Sequence, residues 1–302
     1  MKPTAFRVVS LTLLALAGFA ANSILCRLAL RSGLMDPVSF TSVRIVSGAA
    51  VLLLILRLKR RPIAGSWLSA AALMTYAAGF SYAYVSIPAG VGALLLFGTV
   101  QATMIGAGLL NGERPNWNEW LGEFISLAGL VALLLPGVSA PPLLGAFAMA
   151  LAGIAWGVFS MRGRRGGEPL AATAGNFLRA VLFAAVLSAL NRETKITSPG
   201  LIYALLSGAL ASGLGYAIWY AVLPALSAVR AGVVQLSVPV LVAAIGILFL
   251  GEPPTLRLLL CAALILGGLA LATLYRRRRP AALAPLGQAV PQTIRPGLPR
   301  VD

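Results

Sequence analysis

Ten apolar stretches, joined by connections of only a few residues, fill nearly the whole of this 302-residue chain. They run over 6–26, 37–56, 67–86, 88–111, 118–136, 141–161, 169–190, 199–220, 224–250 and 255–275. A helix crosses the roughly 30 Å of bilayer hydrocarbon with about 20 mostly apolar residues. Hydrophobic residues make up 59% of the chain and charged residues 11%, more apolar surface than a soluble domain of this size can hide. The expected fold is all-α and integral to the membrane, with ten transmembrane helices. Little chain is left over for a catalytic module outside the bilayer.

The net charge of +16 invites a nucleic-acid reading, which the placement of the charge rejects. Most basic residues sit in connections and at helix ends, and they follow the positive-inside rule. With the N-terminus inside, the cytoplasmic set is Lys2, Arg7, Arg57, Lys59, Arg60, Arg61, Arg114, Arg162, Arg164, Arg165 and Arg276 to Arg279. The opposite side receives Arg27, Arg31, Arg192, Lys195 and Arg257. A bacterial-type inner membrane with both termini cytoplasmic is expected. The Arg276–Arg279 run reads as an anchor near anionic headgroups, and the Pro-, Ala- and Gly-rich tail 280–302 as disordered. Lys2 and Arg7 before an apolar run resemble a signal peptide. The first span is kept because it has a counterpart in the sixth. Ala17-Gly18-Phe19-Ala20 matches Ala152-Gly153-Ile154-Ala155, and an arginine (Arg27, Arg162) follows each by seven residues.

The chain also repeats itself. Gly112-Glu113-Arg114-Pro115 and Gly251-Glu252-Pro253-Pro254 stand at matching places between long apolar runs. Aligning them brings Ala128-Gly129-Leu130 onto Gly267-Gly268-Leu269, small residues that let helices approach closely in lipid. Asp36-Pro37 opens the second span and Glu168-Pro169 the seventh, and each span then carries a lone arginine, Arg44 or Arg179. A repeat of five spans is odd, so the second copy must enter the bilayer upside down, an architecture of secondary transporters. The expected halves are 1–138 and 139–279, followed by the tail. Pro88 and Pro224 lie in two-residue joints, and Pro239 breaks the ninth span, so these three are candidate hinges.

These features together resemble the EamA repeat of the drug/metabolite transporter superfamily, over roughly residues 6–275. Within it, the chain is most similar to aromatic amino acid exporters of the YddG type. One departure stands out. Family members often carry a tryptophan before glycine in the first span; here that place holds Ala21-Asn22, while the sixth span keeps Trp156-Gly157. The resemblance implies a secondary transporter that exports aromatic and other neutral amino acids by alternating access; the alternatives are a carrier of organic cations or nucleotide sugars, or a membrane protein that transports nothing. It implies a small-molecule substrate and a lipid surround, with no cofactor and no nucleic acid. One chain suffices for the work.

In such carriers the substrate sits near the midplane, between the repeats. Tyr76, Phe80 and Tyr84 recur every four residues on one face of the third span, with Tyr82 beside them. Aromatic walls suit aromatic cargo or interhelical packing alike. Asn22, Gln101 and Gln235 are amides at span centres, able to bind an ammonium or carboxylate or to bond a neighbouring helix. Phe97 lies one turn before Gln101. Arg44 and Arg179 are costly charges inside the membrane, suited to a carboxylate-bearing solute, to snorkelling or to capping carbonyls. Arg230, near a helix end, snorkels. With Trp156, the candidate substrate-binding set is Asn22, Arg44, Tyr76, Phe80, Tyr82, Phe97, Gln101, Trp156, Arg179 and Gln235.

Enzymatic readings fare poorly. The chain has no histidine, and its two aspartates, Asp36 and Asp302, fall outside the spans. Cys26 and Cys261 read as small packing residues, and no metal-ligand spacing is present. Of the acids only Glu119 and Glu123 enter a span, near its start, so no deep proton relay is visible. Facilitated or weakly coupled transport, down the solute's own gradient, is expected.

Overall fold

The computed structural model describes residues 5–110, 112, 116–135, 140–163, 168–222, 225–226 and 234–274. Among them the regular structure is helical, apart from one isolated antiparallel bridge, Met35 to Ile196. The helices are α1 (Ala5–Arg31), α2 (Pro37–Leu58), α3 (Trp67–Ser86), α4 (Ala89–Leu110), α5 (Trp117–Leu134), α6 (Leu143–Gly163) and α7 (Pro169–Leu190). Next comes α8 (Ser198–Val222), whose middle, Ser207–Leu214, is π-helical. The described chain closes with α9 (Ser237–Leu250) and α10 (Leu256–Leu274). Pro115, Pro224, Arg230 and the tail lie outside the described residues.

Six of these helices, α1, α2, α4, α6, α7 and α8, are long and apolar enough to cross a membrane by length and composition. The expectation of ten is therefore met by six on those measures. α3 is diluted by Ser69, Tyr76, Ser81, Tyr82 and Tyr84, and α5 by Glu119 and Glu123. α9 has 14 residues, about 21 Å at 1.5 Å per residue; the first part of its expected span lies among undescribed positions. The outside of the bundle is apolar, with Phe6, Leu110, Leu144 and Phe249 fully presented, a surface that suits lipid and not water.

Helix ends follow local chemistry. Asp36 caps α2 by accepting from the Ser39 N–H at 2.9 Å, with Pro37 at the first helical position. It also accepts from the Lys195 N–H at 2.9 Å and the Asn191 amide at 3.1 Å, tying the start of α2 to the α7–α8 connection. Burial alone would raise its pKa, but the bonds from Ser39, Lys195 and Asn191 outweigh burial and hold it below the usual carboxylate value. Its stabilisation is therefore complete above the unfolded value near 3.8 and is lost as pH falls through the lower folded value. Asp36→Ala should cost about 1 kcal/mol at neutral pH. In thermal unfolding of the purified protein, the gap from wild type should close as the medium is acidified below that range. The matching Glu168 makes no cap bond to α7; it pairs instead with exposed Arg61 at 3.7 Å.

The two Gly-Glu joints share a backbone reason. Gly112 and Gly251 both have positive φ, 77° and 65°, the left-handed conformation that ends a helix and favours glycine. At the second joint the Gly251 and Glu252 N–H groups both donate to the Gly246 carbonyl, closing the last turn of α9.

The principal contacts obey an exchange rule. α1 packs on α8 and α9, and α6 packs on α3 and α4; α2 meets α8, and α7 meets α3. α2 with α7, α4 with α9 and α5 with α10 form self-matching pairs. Swapping the first five helices for the second five leaves this pattern unchanged. α5 and α10 cross where Gly122 and Gly268 stand back to back, and a Cβ on Gly129 would lie 2.8 Å from Leu264. Gly267 faces open space, so of the small residues expected to pack, Gly129 and Gly268 do so and Gly267 does not.

Candidate functional site

A cavity lies where helices of both halves converge. Its walls are Phe19, Asn22 and Ser23 of α1, Tyr76 and Phe80 of α3, Leu96 and Phe97 of α4, and Trp156 of α6. Ala211, Ser212 and Tyr216 of α8, with Gln235 and Val238 at the entry to α9, complete it. Measured at the centres of water-sized spheres it holds about 50 Å³, room for several waters.

The rings form a connected set. Tyr76 lies 4.7 Å from Trp156 and 5.4 Å from Phe80, centroid to centroid. Trp156 also meets Tyr216 at 5.5 Å, and Tyr216 meets Phe19 at 5.8 Å. These offset and tilted contacts are the favourable ones for aromatic pairs. The repeat of four along α3 places Tyr76 and Phe80 on the inward face, while Tyr82 points out, 49% exposed.

Two backbone irregularities touch the cavity. The π segment of α8 contributes Ala211 and Ser212, and π turns inside helices are common at functional sites. Its Ser-Gly pairs, 207–208 and 212–213, recur at a spacing of five, the step of a π hydrogen bond. The second irregularity is a turn at Leu236 between helical Gln235 and the start of α9. Pro239 therefore sits in the first turn of α9, where it costs no hydrogen bond, and the break precedes it.

Arg44 stands one layer behind the wall, 1% exposed. Its Nε donates to Ser212 Oγ at 3.2 Å and its Nη2 to the Tyr76 hydroxyl at 3.1 Å. The guanidinium carbon lies 5.1 Å from the Tyr76 and Phe80 ring centroids alike, within cation–π range. Its Nη1 is buried without a hydrogen-bond partner. Arg179, the matching residue, behaves differently. It donates to the Ala64 and Gly175 carbonyls, both at 2.9 Å, and lies over Trp67. It caps backbone at a helix-end loop and is not among the lining residues.

The sequence candidates thus separate. Asn22, Tyr76, Phe80, Phe97, Trp156 and Gln235 line one cavity, with Arg44 behind it. Tyr82, Gln101 and Arg179 lie elsewhere. Gln101 is one turn past Phe97 along α4, beyond the cavity's reach. Phe19, Ser23, Ser212 and Tyr216 were missed as site residues; only the Ser-Gly spacing and the shared helical face of Phe19 and Ser23 carry any sequence signal.

Beyond the lining along α1 comes an ion pair. One turn beyond Ser23 and Phe80, Arg27 Nε meets Glu252 Oε1 at 3.2 Å, with both side chains buried. Arg27 Nη1 also donates to the Tyr84 and Val85 carbonyls at 2.8 and 3.1 Å. Both Glu252 oxygens accept from the Ala89 N–H, at 2.9 and 2.8 Å, capping α4 just after Pro88, where an anion also suits the helix dipole. Beside it, Arg31 donates to the Leu250 carbonyl at 2.8 Å. Glu123 is remote from the cavity, and one of its oxygens is buried and unpartnered. Both cysteines are free and buried. Among the described residues no cluster of three Cys, Asp or Glu side chains is placed to hold a metal ion.

Comparison with known proteins agrees with this architecture. A protein of Pseudomonas aeruginosa, named only as uncharacterized protein PA1977, is 55% identical over 279 residues, covering 91% of this chain and 97% of its own length. A solved crystal structure superposes with a TM-score of 0.63 at 20% identity, over 88% of this chain and 98% of the other, a likeness of fold. The model of the EamA-like transporter family matches twice, over residues 6–135 and 143–274, and with both apolar halves accounted for, the chain belongs to that family of membrane transporters.

Proposed function

We propose that the protein is a ten-span carrier that exports neutral amino acids, aromatic ones foremost, across a bacterial-type inner membrane. Two inverted five-helix repeats, 1–138 and 139–279, rock about the shared cavity in alternating access, with both termini cytoplasmic and one chain sufficient. The cargo moves down its own gradient. The observation that carries the reading is the cavity itself, built from helices of both halves, with five linked aromatic rings and amides from Asn22 and Gln235. Stacking and area burial favour an aromatic side chain there, and midplane sites between repeats are the habit of such carriers.

The absence of carboxylates among the described lining residues disfavours organic cations. Alternating access draws support from the buried Arg27–Glu252 pair, which joins the two halves one turn beyond the lining and would part if that side opened. Pro88 and Pro239, beside that pair and beside the α9 break, are the hinges we propose; Pro224 lies outside the described residues. Counterflow of radiolabelled phenylalanine, tryptophan, threonine and methionine in proteoliposomes tests the assignment. Exchange is expected for the aromatic pair at least, and Phe80→Ala should slow it about tenfold, the loss of a ring contact and its buried area. Absence of exchange for all four would defeat the amino-acid reading.

A further inference from the structure

We infer that the cavity recognises its cargo by a carboxylate, through donors aligned by Arg44, and does not require an ammonium group. The inference deepens the carrier reading and rests on it.

The polar wall offers donors. Arg44 gives its Nε and Nη2 protons to Ser212 Oγ and the Tyr76 hydroxyl. Those oxygens accept from the guanidinium, so their own protons are not spent on it and are available to the cavity both residues line. Asn22 behaves alike. Its Oδ1 accepts from the Ser207 hydroxyl at 2.6 Å, which leaves the Nδ2 hydrogens for the cavity side. A ligand entering here meets hydrogen-bond donors backed by a full positive charge.

Among the described residues no carboxylate balances that charge. The described ion pairs are Arg27–Glu252 and Arg61–Glu168, and neither involves Arg44. Its remaining nitrogen is buried and unpartnered, and an isolated cation within the membrane is costly. An anion drawn to the Tyr76 and Ser212 hydroxyls lowers that cost. An ammonium finds no carboxylate among the described residues of the wall, only neutral oxygens such as the Gln235 side-chain carbonyl. Arg179 is turned to backbone carbonyls and, unlike Arg44, does not back the wall. The cargo class is therefore an apolar or aromatic body bearing one carboxylate, with or without an amine. Arg44 acts through Tyr76 and Ser212 and is a positioning residue.

The test is titration calorimetry on the purified full chain with phenylalanine, 3-phenylpropionate, phenethylamine and phenylalanine methyl ester. Phenylalanine and 3-phenylpropionate should bind within about threefold of each other. Phenethylamine and the ester should bind at least about tenfold more weakly, the worth of a charge-assisted hydrogen bond. Arg44→Lys should keep that order, and Arg44→Gln should erase it. A general packing defect would weaken all four ligands together. Should no phenyl compound bind, the aromatic reading fails, and hexanoate against hexylamine then decides the inference. An amine that binds wild type as well as its carboxylate analogue, or no binding of either carboxylate, overturns it.

Discussion

Replacing Glu252 with alanine is expected to destabilise the protein by about 3–5 kcal/mol, the usual cost of stripping one partner from a buried ion pair. The loss is large because Glu252 holds two groups at once. Arg27 would keep its charge in a buried site with only the Tyr84 and Val85 carbonyls for company. The Ala89 N–H, served by both carboxylate oxygens, would lose its acceptor at the head of α4. Glu252→Gln should fall between the two, because an amide oxygen still serves Ala89. The decisive comparison is the double replacement Arg27→Met with Glu252→Met. If the damage comes from an orphaned charge, the pair of apolar residues should be more stable than either single change. Thermal unfolding in lipid nanodiscs reads each variant against wild type. Equal damage from single and double variants would show that packing, not charge, sets the cost.

The second large effect is expected at Gly208, in the π segment. A Cβ there would run into Ser47 Oγ and the Arg44 carbonyl oxygen, and would lie 2.8 Å from Arg44 Cα. Two of those three atoms are backbone, so α2 and α8 must separate. Gly208→Ala should cost about 1–3 kcal/mol. Separation also pulls Arg44 Nε from Ser212 Oγ, now 3.2 Å away, so the preference for carboxylates should shrink along with stability. Gly267→Ala is the control. Nothing lies within 4 Å of its Cβ position, so the change should be neutral or stabilising by about 0.5–1 kcal/mol through helix propensity. Paired melting and calorimetry of the two variants check both statements. A Gly208→Ala protein as stable as wild type would mean that α2 and α8 are not pressed together as described.

Much of the fold can be read from the chain because its drivers are local and periodic. Length and apolar content mark the helices, and α3 and α7 fall on their expected limits, 67–86 and 169–190. The Gly-Glu joints are legible because a left-handed helix stop favours glycine. What Glu252 does next is not legible, since its partners Arg27 and Ala89 are 225 and 163 residues away. The site divides on the same line. The spacing of Tyr76 and Phe80 identifies a shared face, and that face is inward. Tyr82 is adjacent in sequence but about 160° away around the helix, at two steps of roughly 100° from Phe80. Arg44 and Arg179 look equivalent in sequence and differ in use, because the groups that receive them, Ser212 and Tyr76 for one and a loop carbonyl for the other, come from other helices.

The Arg27–Glu252 contact has a consequence for any attempt to cut this protein in two. Arg27 belongs to the first family match, residues 6–135, and Glu252 to the second, 143–274. Expressed as separate polypeptides, each fragment would hold a naked ionised group where its sibling should sit, and α1 would lose the neighbours it leans on. Neither fragment should mature alone, and co-production should rescue both. The severed pieces would behave as obligate companions.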